Sequence, residues 1–366
     1  MRILITARWP VGGIRTFLKY VYQRLDASEL QLAFALPDMP EARQLADDLS
    51  GRGYEFHWSG ADTRDYARTL RRLCRETRYD LVHSHGFTAL LVTRLIRSKA
   101  RHLVTVHDVL LEAQLSGLKG WAKYHLLRHS LRRVEVVHAV SEACAENLNQ
   151  MLSLGPSVAS KITVVRNGID VSGFVRCDAE DVRSKLRIDA DALVVGFFGR
   201  FMNQKGFRYL ADAVSRINEA GGRRVVVVCV GSGGFLARDR RDIEARGLSA
   251  YFIFADFVPH VGGLMKGVDC VVMPSLWEAC GLVAMEAMVA GSPLLATDIP
   301  ALRELTAGSP AHLVPVRDSK AIASVLSGFD VNRERASSAA FAERAAQQFD
   351  VGLTIAGIRD LYARLA

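Results

Sequence analysis

Residues 274–293 hold two carboxylates, a glycine and a helix pattern in an informative order. The apolar run 268–273 before them is rich in β-branched residues and predicts a buried parallel strand. Gly281 then opens a run of good helix formers, which a glycine and a proline end. Glu278 is therefore expected in the loop between strand and helix and Glu286 on the helix, with free backbone amides between the two carboxylates.

This order of groups fits the parts of a nucleotide sugar. The first amides of the helix, those of Gly281, Leu282 and Val283, have no partner inside a helix and suit a phosphate. Carboxylates accept hydrogen bonds from sugar hydroxyls, so the order carboxylate, amides, carboxylate matches the order hexose, diphosphate, ribose. The five positions from Gly281 to Glu286 rise about 7 to 8 Å along a helix, which suits the step from a diphosphate to a ribose.

The segment resembles the E-x7-E signature of the retaining nucleotide-sugar glycosyltransferases of glycosyltransferase family 4, which have the GT-B fold. The resemblance implies that Glu278 contacts hydroxyls of the donor sugar, that the amides after Gly281 hold phosphate and that Glu286 holds the ribose. Two glutamates at this spacing also occur as a loop residue and a solvated helix residue. The preceding strand, the Gly-Leu pair and the Ala-Gly-Ser-Pro that follows favour the functional interpretation.

Composition limits the class of protein. The length of 366 residues predicts two domains, and 49% apolar with 23% charged residues is typical of a globular chain. The six cysteines include no C-x-x-C pair, which favours free thiols in a reducing compartment. A net charge of +8 favours anionic partners, and nucleotide sugars, anionic lipid surfaces and nucleic acid all qualify.

Three features of the sequence bear on membranes. The first ten residues predict a strand, because Arg8 interrupts their apolar run too early for a signal peptide, and no stretch approaches the roughly 20 apolar residues of a membrane span. Residues 118–133 mix basic and aromatic side chains, which predicts either a helix on an anionic membrane surface or a solvated helix whose leucines pack inward. We expect a cytoplasmic location, with peripheral attachment to the inner face of the plasma membrane as one option.

Short apolar runs alternate with helical or polar segments, which predicts parallel sheets of the doubly wound kind. The first series of runs comprises residues 3–6, 32–36, 81–84, 103–106, 135–140 and 162–165, and the second comprises 193–198, 225–230, 251–254, 270–273, 294–297 and 312–316. The polar segment 174–191 between the two series predicts the linker. We expect an N-terminal acceptor-binding domain over 1–175, a C-terminal donor-binding domain over 190–348 and a final helix over 349–366.

The resemblance to family 4 adds an arrangement to these parts. It implies an α/β protein of GT-B fold, in which two facing Rossmann-like domains with parallel sheets bind ligands at the carboxyl ends of their strands. It also implies that the C-terminal helix crosses back to the N-terminal domain.

The first domain offers two candidate positions. Gly12 and Gly13 lie between the first strand and a helix, where paired glycines allow either close approach of a ligand or a simple tight turn. The resemblance implies that they contact the donor, although Arg15 stands where an acidic residue is expected. His107 follows a strand, where a histidine is either structural or functional, and the family match assigns it to the donor sugar.

No metal site is predicted. His83 and His85 have no third convergent ligand nearby in the sequence. Asp189-Ala190-Asp191 satisfies a metal-binding D-x-D pattern, but it precedes a strand instead of following one, so we interpret it as chance.

In the second domain, Arg200 and Lys205 follow a buried strand. Two cations at this position can neutralise a departing diphosphate, or they can simply be solvated. Their resemblance to the G-R-x(n)-K-G element of family 4 implies the first role, which a divalent metal plays in other glycosyltransferases. The resemblance also implies that Gly231, in a glycine-rich loop, lies beside the donor phosphates and that the backbone near Val258 contacts the base.

Together these features predict a retaining, metal-independent glycosyltransferase of hexosyltransferase type that needs no cofactor. It would move a sugar from a nucleotide-diphosphate-sugar to a hydroxyl of a carbohydrate or lipid-linked glycan, in bacterial polysaccharide, lipopolysaccharide or glycolipid synthesis. The predicted catalytic residues are His107, Arg200, Lys205 and Glu278. Two alternatives stay open: a nucleotide-sugar epimerase of the same architecture, and a non-catalytic basic protein that binds membranes or nucleic acid. If the protein is a glycosyltransferase, we expect it to have no nucleic-acid partner.

Overall fold

The structure, a computed structural model, describes residues 1–96, 98–255 and 260–366. Its contacts divide the chain into two compact units. Unit 1 comprises Met1–Asn167 together with Val351–Ala366, and unit 2 comprises Gly168–Asp350. Within the described residues each unit has one sheet whose paired strands all run parallel, so the prediction of two doubly wound domains is confirmed.

The strands of unit 1 form a single sheet over the described residues. They are β1 (Arg2–Ala7), β2 (Gln31–Pro37), β3 (Glu55–Ser59), β4 (Leu81–His85), β5 (Arg101–Val106), β6 (Val136–Ala139) and β7 (Ile162–Val164). Their order is β3-β2-β1-β4-β5-β6-β7. The sequence predicts all of these strands except β3, because Glu55 and His57 interrupt its apolar pattern on a half-exposed edge strand.

Helices cover both faces of this sheet. They are α1 (Gly13–Arg24), α2 (Pro40–Asp48), α3 (Thr63–Glu76), α4 (Phe87–Leu95), α5 (Glu112–Leu115), α6 (Gly117–Arg132), α7 (Glu142–Leu152), α8 (Pro156–Ala159) and the final helix α18 (Val351–Arg364). Helices α1 and α18 pack on the same face, where Phe17 and Tyr22 meet Ile358 and Tyr362 in one apolar core. The last helix of the chain therefore completes the core of unit 1.

The strands of unit 2 are more fully buried than those of unit 1 among the described residues. They are β8 (Leu193–Phe198), β9 (Val225–Val230), β10 (Phe252–Ala255), β11 (Cys270–Met273), β12 (Leu294–Thr297) and β13 (His312–Val314). Their order is β10-β9-β8-β11-β12-β13. Every residue of β8, β9 and β11 is buried, which fits strands covered by helices on both faces.

The helices of unit 2 among the described residues are α9 (Ser172–Val175), α10 (Val182–Leu186), α11 (Phe207–Glu219), α12 (Leu236–Ala245), α13 (Gly262–Gly267), α14 (Leu282–Val289), α15 (Pro300–Leu305), α16 (Ser319–Ser327) and α17 (Val331–Gln348). Helix α11 shows how the sequence fixes their packing. Its apolar positions Phe207, Leu210, Val214 and Ile217 recur at helical spacing and are all buried against the sheet. Helix α11 follows the loop after β8, and helix α14 follows the loop after β11.

The segment 174–191, predicted as the linker, is packed into unit 2 instead. Its Phe174 and Val182 are buried. The guanidinium of Arg183 pairs with Asp269, a carboxylate that is 1% exposed and also accepts from the Val194 amide at 2.8 Å. A buried carboxylate needs such partners, so a polar sequence here marks an internal ion pair and not a free linker.

The strand orders place one switch point in each unit. In unit 1, β1 lies between β2 and β4, and in unit 2, β8 lies between β9 and β11. The loops that leave neighbouring strands at such a point diverge to opposite faces and leave a crevice at the carboxyl ends of the strands, where ligands usually bind. We therefore expect a ligand site in the loops after β8 and β11 or in those after β1 and β4.

Candidate active site

Two loops of unit 2 meet at its switch point. The β8 loop (199–206) leads to α11, and the β11 loop (274–281) leads to α14. The Leu276 amide donates to the Gln204 carbonyl oxygen at 2.7 Å, and Gln204 Nε2 donates to the Trp277 carbonyl oxygen at 2.8 Å. These two bonds hold the loops side by side.

Gly206 explains why the loops can lie so close. Its φ of 63° lies in the left-handed region, and a Cβ added there would sit 2.0 Å from the carbonyl oxygen of Pro274. A backbone oxygen cannot move aside by changing rotamer as a side chain can, so only glycine fits. The close approach brings Lys205, the residue before Gly206, against the β11 loop.

Lys205 and Glu278 form an ion pair across the two loops. Lys205 Nζ lies 2.6 Å from Glu278 Oε1, and the side chains are 17% and 8% exposed. Ser275 Oγ donates to the same carboxylate oxygen at 2.8 Å, and Gln204 Nε2 approaches Oε2 at 3.3 Å. The carboxylate is therefore oriented by three donors, and Oε2 keeps the weaker partner.

Arg200 presents a second cation in the same loop. Its side chain is exposed, and within the described residues the guanidinium has no hydrogen-bond or ion-pair partner. The β8 loop thus carries one paired and one unpaired positive charge at the carboxyl end of β8.

Helix α14 begins as the sequence predicts, at Leu282, with Gly281 as its N-cap. Gly281 has φ 99°, and a Cβ there would lie 2.7 Å from Leu302 Cδ2, so a larger residue is excluded by conformation and by space. In the described part of the chain, the amides of Gly281, Leu282 and Val283 have no acceptor. They form an unpaired row of donors beside Glu278.

Glu286 lies on α14, one and a half turns after these amides. Its side chain is half-buried, and no described residue donates to its carboxylate. Burial raises the pKa of Glu286 to about 7, and the positive charge of Lys205 opposes that rise. A carboxylate held in this way gains from a ligand that donates hydrogen bonds to it.

The glycine-rich loop after β9 packs directly on the β8 loop. Gly231 has φ 150°, and a Cβ there would lie 1.8 Å from the carbonyl oxygen of Gly199. The Phe201 amide donates to the Ser232 carbonyl oxygen at 2.8 Å. Gly231 therefore shapes the loop that carries Arg200 and Lys205, whereas Val258 lies outside the described residues.

In unit 1, the two predicted glycines differ from each other. Gly12 is the N-cap of α1 with φ 54°, a conformation that favours glycine. Gly13 is exposed, and an added Cβ would meet nothing within 4 Å. Arg15, which stands where an acidic residue is expected, pairs with Asp48 at 2.5 Å. The structure thus requires glycine at the first position only.

A chain of hydrogen bonds crosses the carboxyl ends of β4, β5 and β6. His138 Nε2 donates to the Val165 carbonyl oxygen at 2.9 Å, so its Nδ1 accepts from Thr105 Oγ1, also at 2.9 Å. Thr105 Oγ1 in turn accepts from His83 Nε2 at 2.7 Å. His83 Nδ1 then accepts from the Tyr362 hydroxyl at 2.8 Å. A carbonyl oxygen can only accept, and this fixes the direction of every bond in the chain.

His107 lies just beyond β5, beside this chain. It is half-buried, and its Nε2 lies 2.9 Å from Nδ1 of the buried His85. Phe17 of α1 packs edge-on against the His107 ring at a centroid distance of 5.0 Å. Burial lowers the pKa of His107 to about 3, with a further contribution from His138, so the imidazole is neutral near pH 7.

The sequence patterns do not predict four residues that bond to the candidate site residues of units 1 and 2 or to their neighbours. Gln204 and Ser275 orient Glu278, and their only sequence signals are their places one residue before Lys205 and three before Glu278. Tyr22 and Tyr362 bond to each other at 2.6 Å beside His83, across 340 residues of sequence, and no local pattern predicts this.

The described ranges contain neither a cluster of metal ligands nor a helix that could span a membrane. No three His, Cys, Asp or Glu side chains converge there as metal ligands. Among the described helices, none combines the length and the apolar content that a bilayer crossing needs. All six cysteines are free thiols.

Comparison with solved structures identifies the fold as that of GT-B glycosyltransferases. HepE from Anabaena, solved in complex with UDP-glucose, matches with a TM-score of 0.84 and 21% identity, covering 100% of both chains. Sucrose-phosphate synthase from Thermosynechococcus elongatus matches with a TM-score of 0.83 and 18% identity, covering 100% of this chain and 99% of that one.

Comparison with known sequences gives the family. Residues 11–172 match Glycosyltransferase Family 4, and residues 192–328 match Glycosyl transferases group 1. The 2-deoxystreptamine N-acetyl-D-glucosaminyltransferase of Streptomyces fradiae is 31% identical over 323 residues, which cover 82% of this chain and 73% of that protein. The lipopolysaccharide core mannosyltransferase LpsB of Rhizobium meliloti is 26% identical over 287 residues, 76% of each chain. This chain belongs to the family 4 glycosyltransferases with the GT-B fold.

Proposed function

We propose that this glycosyltransferase binds a nucleotide-diphosphate-sugar donor at the switch point of unit 2. The observation that carries the proposal is the packing of two loops there: the β8 loop carries two cations, and it packs on the β11 loop, after which a row of unpaired amides lies between Glu278 and Glu286 along the chain. A diphosphate suits the cations and amides, and the hydroxyls on either side of it suit the carboxylates. The complex of HepE with UDP-glucose is consistent with such a donor.

Each group has a separate role in this proposal. Arg200, Lys205 and the amides at the start of α14 hold the diphosphate and stabilise the charge that grows on it as it leaves. Glu286 accepts hydrogen bonds from the ribose. Glu278 orients the transferred sugar through Oε2, the carboxylate oxygen with the weaker partner. His107 of unit 1 donates to a sugar hydroxyl.

The reaction proposed is metal-independent and proceeds with retention. Two cations that act on the diphosphate take the part of a divalent metal, so activity is expected to survive chelation by EDTA. Retention follows if the acceptor hydroxyl attacks on the face that the diphosphate leaves, and we assign no enzymic nucleophile. NMR of the product measures the anomeric configuration, and an inverted product would contradict this part of the proposal.

The acceptor proposed is a hydroxyl of a carbohydrate or a lipid-linked glycan. Relatives are named for transfer to 2-deoxystreptamine and for synthesis of the lipopolysaccharide core, so the family itself spans several acceptor types. A role in bacterial polysaccharide, lipopolysaccharide or glycolipid synthesis is consistent with these names.

A thermal-shift panel of UDP, GDP, TDP and ADP tests donor binding. A ligand at a hundred times its Kd stabilises the folded state by about 2.7 kcal/mol, so one nucleotide should raise the melting temperature clearly above the others. Arg200→Ala should then lower kcat at saturating donor, and Glu286→Ala should chiefly raise the donor KM. No stabilisation by any of the four, or parental kinetics in both variants, would contradict the proposal.

We also propose that α6 contacts an anionic membrane surface. Leu118, Trp121 and Leu126 are 89%, 63% and 52% exposed on this helix, while Leu127 and Leu131 pack inward. Exposed apolar and aromatic side chains among several basic ones suit a bilayer interface. Helix α6 carries four Lys or Arg residues, and a fifth follows directly after it: Lys119, Lys123, Arg128, Arg132 and Arg133.

Cosedimentation with vesicles tests this surface. The protein should pellet with vesicles of phosphatidylglycerol and phosphatidylcholine and not with phosphatidylcholine alone. Trp121→Ser should weaken pelleting, whereas the matched control Leu353→Ser removes an equally exposed apolar side chain from α18 and should leave it unchanged. Equal pelleting of all three proteins would count against the proposal.

A further inference from the structure

His85 is a buried histidine whose second ring nitrogen has no partner. The residue is 1% exposed, its Nδ1 lies 2.9 Å from His107 Nε2, and its Nε2 is buried with no hydrogen-bond partner in the described structure. Buried polar atoms without a partner are rare and call for an explanation. An apolar ring would fill this space without that penalty, so the contact with His107 is the feature that distinguishes histidine here.

His85 is surrounded by aromatic and imidazole side chains. Phe17 lies 5.5 Å away, His83 4.1 Å and Tyr22 6.4 Å, measured between ring centroids. Burial lowers the pKa of His85 well below its ordinary value, and the charges that His83, His107 and His138 would carry if protonated add to this effect. Both imidazoles of the pair are therefore neutral near pH 7, and a single proton lies between them.

His85 Nε2, which has no partner in the described structure, determines which of the two rings carries the shared proton. If His107 Nε2 carried it, His85 would be left with a buried Nε2–H that has no acceptor. If His85 Nδ1 carries it, His85 is left with a buried lone pair instead. Buried N–H groups without an acceptor are the rarer of the two in folded proteins, so the geometry favours the proton on His85 Nδ1.

We propose that His85 is a positioning residue for His107. The Nδ1–H group of His85 donates to His107 Nε2 and thereby fixes His107 as the tautomer that carries its proton on Nδ1. That nitrogen has no bond to a described residue and retains access to solvent. His107 then presents a hydrogen-bond donor, to which a hydroxyl oxygen of a sugar substrate is complementary. This inference rests on the role proposed for His107 in sugar binding.

In the neighbouring hydrogen-bond chain, partners also fix histidine tautomers, but no ring nitrogen is left without a partner. The Val165 carbonyl fixes the tautomers of His138 and His83, and both ring nitrogens of each residue have partners within the protein. Nothing in that chain is left for a ligand. The His85–His107 pair differs because it ends in a free nitrogen that reaches solvent.

Nitrogen-15 NMR of the histidine-labelled full chain tests the tautomer directly, because long-range correlations distinguish a protonated from an unprotonated ring nitrogen. In the parent protein His107 should carry its proton on Nδ1. In His85→Phe the Nε2-protonated form should appear, and in His85→Asn, whose amide can donate in place of Nδ1–H, the parent tautomer should return. A protonated Nε2 on His107 in the parent protein, or no change in His85→Phe, would overturn the proposal.

A matched variant separates positioning from structure. His102 is also a buried strand histidine, on β5, but it bonds to Ser84 Oγ at 2.7 Å and Thr93 Oγ1 at 3.1 Å, away from His107. His102→Phe should lower the melting temperature and leave the His107 signals unchanged. His85→Phe should lower the melting temperature less than His102→Phe does, because His85 has one ring nitrogen bonded and one without a partner in the described structure. A loss of stability in His85→Phe with parental His107 signals would mean that His85 is only structural.

Ligand affinity connects the pair to substrate. With UDP and UDP-glucose as probes, His85→Phe should bind UDP-glucose about three- to tenfold more weakly, the effect of one hydrogen bond, and bind UDP as the parent does. Equal weakening for both probes would contradict the role in sugar binding. Failure of the parent protein to bind any nucleotide sugar would instead contradict the proposed function, and the NMR result would still decide the role of His85.

Discussion

At the end of β8 in unit 2, the loop carries an unpaired guanidinium and an ammonium paired with a carboxylate, whereas the ends of β4 and β5 in unit 1 carry neutral imidazoles. Both groups of residues occupy the carboxyl edge of a parallel sheet near its switch point. Charge concentrated beside unpaired amides suits an anionic ligand, and neutral donors and acceptors suit hydroxyl groups. One architecture thus supports two kinds of recognition through the side chains of a few loop residues.

The largest expected effect comes from removing the cation that is paired with Glu278 in unit 2. Lys205→Met should lower kcat at saturating donor by about 10²- to 10³-fold, because it removes a cation that we propose stabilises the leaving diphosphate. Steady-state kinetics measure the change. The matched control is Lys185→Met, which also breaks a Lys–Glu pair, but one whose side chains are 62% and 33% exposed instead of 17% and 8%. Similar kcat values in the two variants would remove the distinction between the charged site and an ordinary surface pair.

The next effect concerns the loops that carry the charges. Gly231→Ala should lower the free energy of unfolding by about 2 to 4 kcal/mol, because φ 150° is a glycine conformation and the new Cβ would lie 1.8 Å from a backbone oxygen. Gly234→Ala, three residues later, meets nothing within 4 Å and should change stability little. Denaturant titration compares the two. Equal stabilities would show that the close contact of the two loops can be relaxed.

A smaller effect is expected from the pKa of Glu286. The folded state holds the proton of this carboxyl more tightly than the unfolded state does, so its contribution to stability is lost as pH rises from about 4.5 to about 7. The loss is at most about 3 kcal/mol, and less because the side chain is only half-buried. Thermal unfolding between pH 5 and pH 8 should show a shallower fall for Glu286→Gln than for the parent protein. Identical pH profiles would mean that Glu286 titrates normally.

The smallest effect is expected in unit 1. Tyr362→Phe removes the hydroxyl that donates to His83 Nδ1, while the Tyr22 hydroxyl remains 3.2 Å from the same atom, so stability should fall by only about 1 kcal/mol. Nucleotide affinity should not change. Tyr79→Phe is the matched control, since the Tyr79 hydroxyl is buried with no partner in the described structure, and its removal should not destabilise. A fall in UDP affinity in Tyr362→Phe would contradict the proposal that unit 2 binds the nucleotide.

Local sequence patterns predict much of the fold and of the unit 2 site. The strands of unit 2 are continuous apolar runs, and the start of α14 at Leu282 follows from Gly281 and the helix formers after it. The segment 174–191, predicted as the linker, packs into unit 2, where its Arg183 pairs with a carboxylate distant in the sequence, Asp269. Strand β3 was missed because edge strands need no continuous apolar face.

The polar contacts of the site are predicted less well than its backbone. The E-x7-E spacing identifies Glu278 and Glu286, but the ion pair between Glu278 and Lys205 joins residues 73 positions apart. The pairing of His85 with His107 depends on the register of β4 and β5, in which His85 lies opposite Thr105. Such contacts follow from strand order, which no single segment of the sequence specifies.

The place of α18 has a consequence for biosynthesis. Unit 2 is one continuous stretch of chain, but unit 1 is interrupted, and its final helix follows unit 2 in the sequence. A ribosome must therefore release all of unit 2 before Ile358, Leu361 and Tyr362 can reach the core that they share with α1. Until then the nascent first unit lacks part of its core, and the apolar side chains of α1 that α18 covers in the finished protein stay exposed.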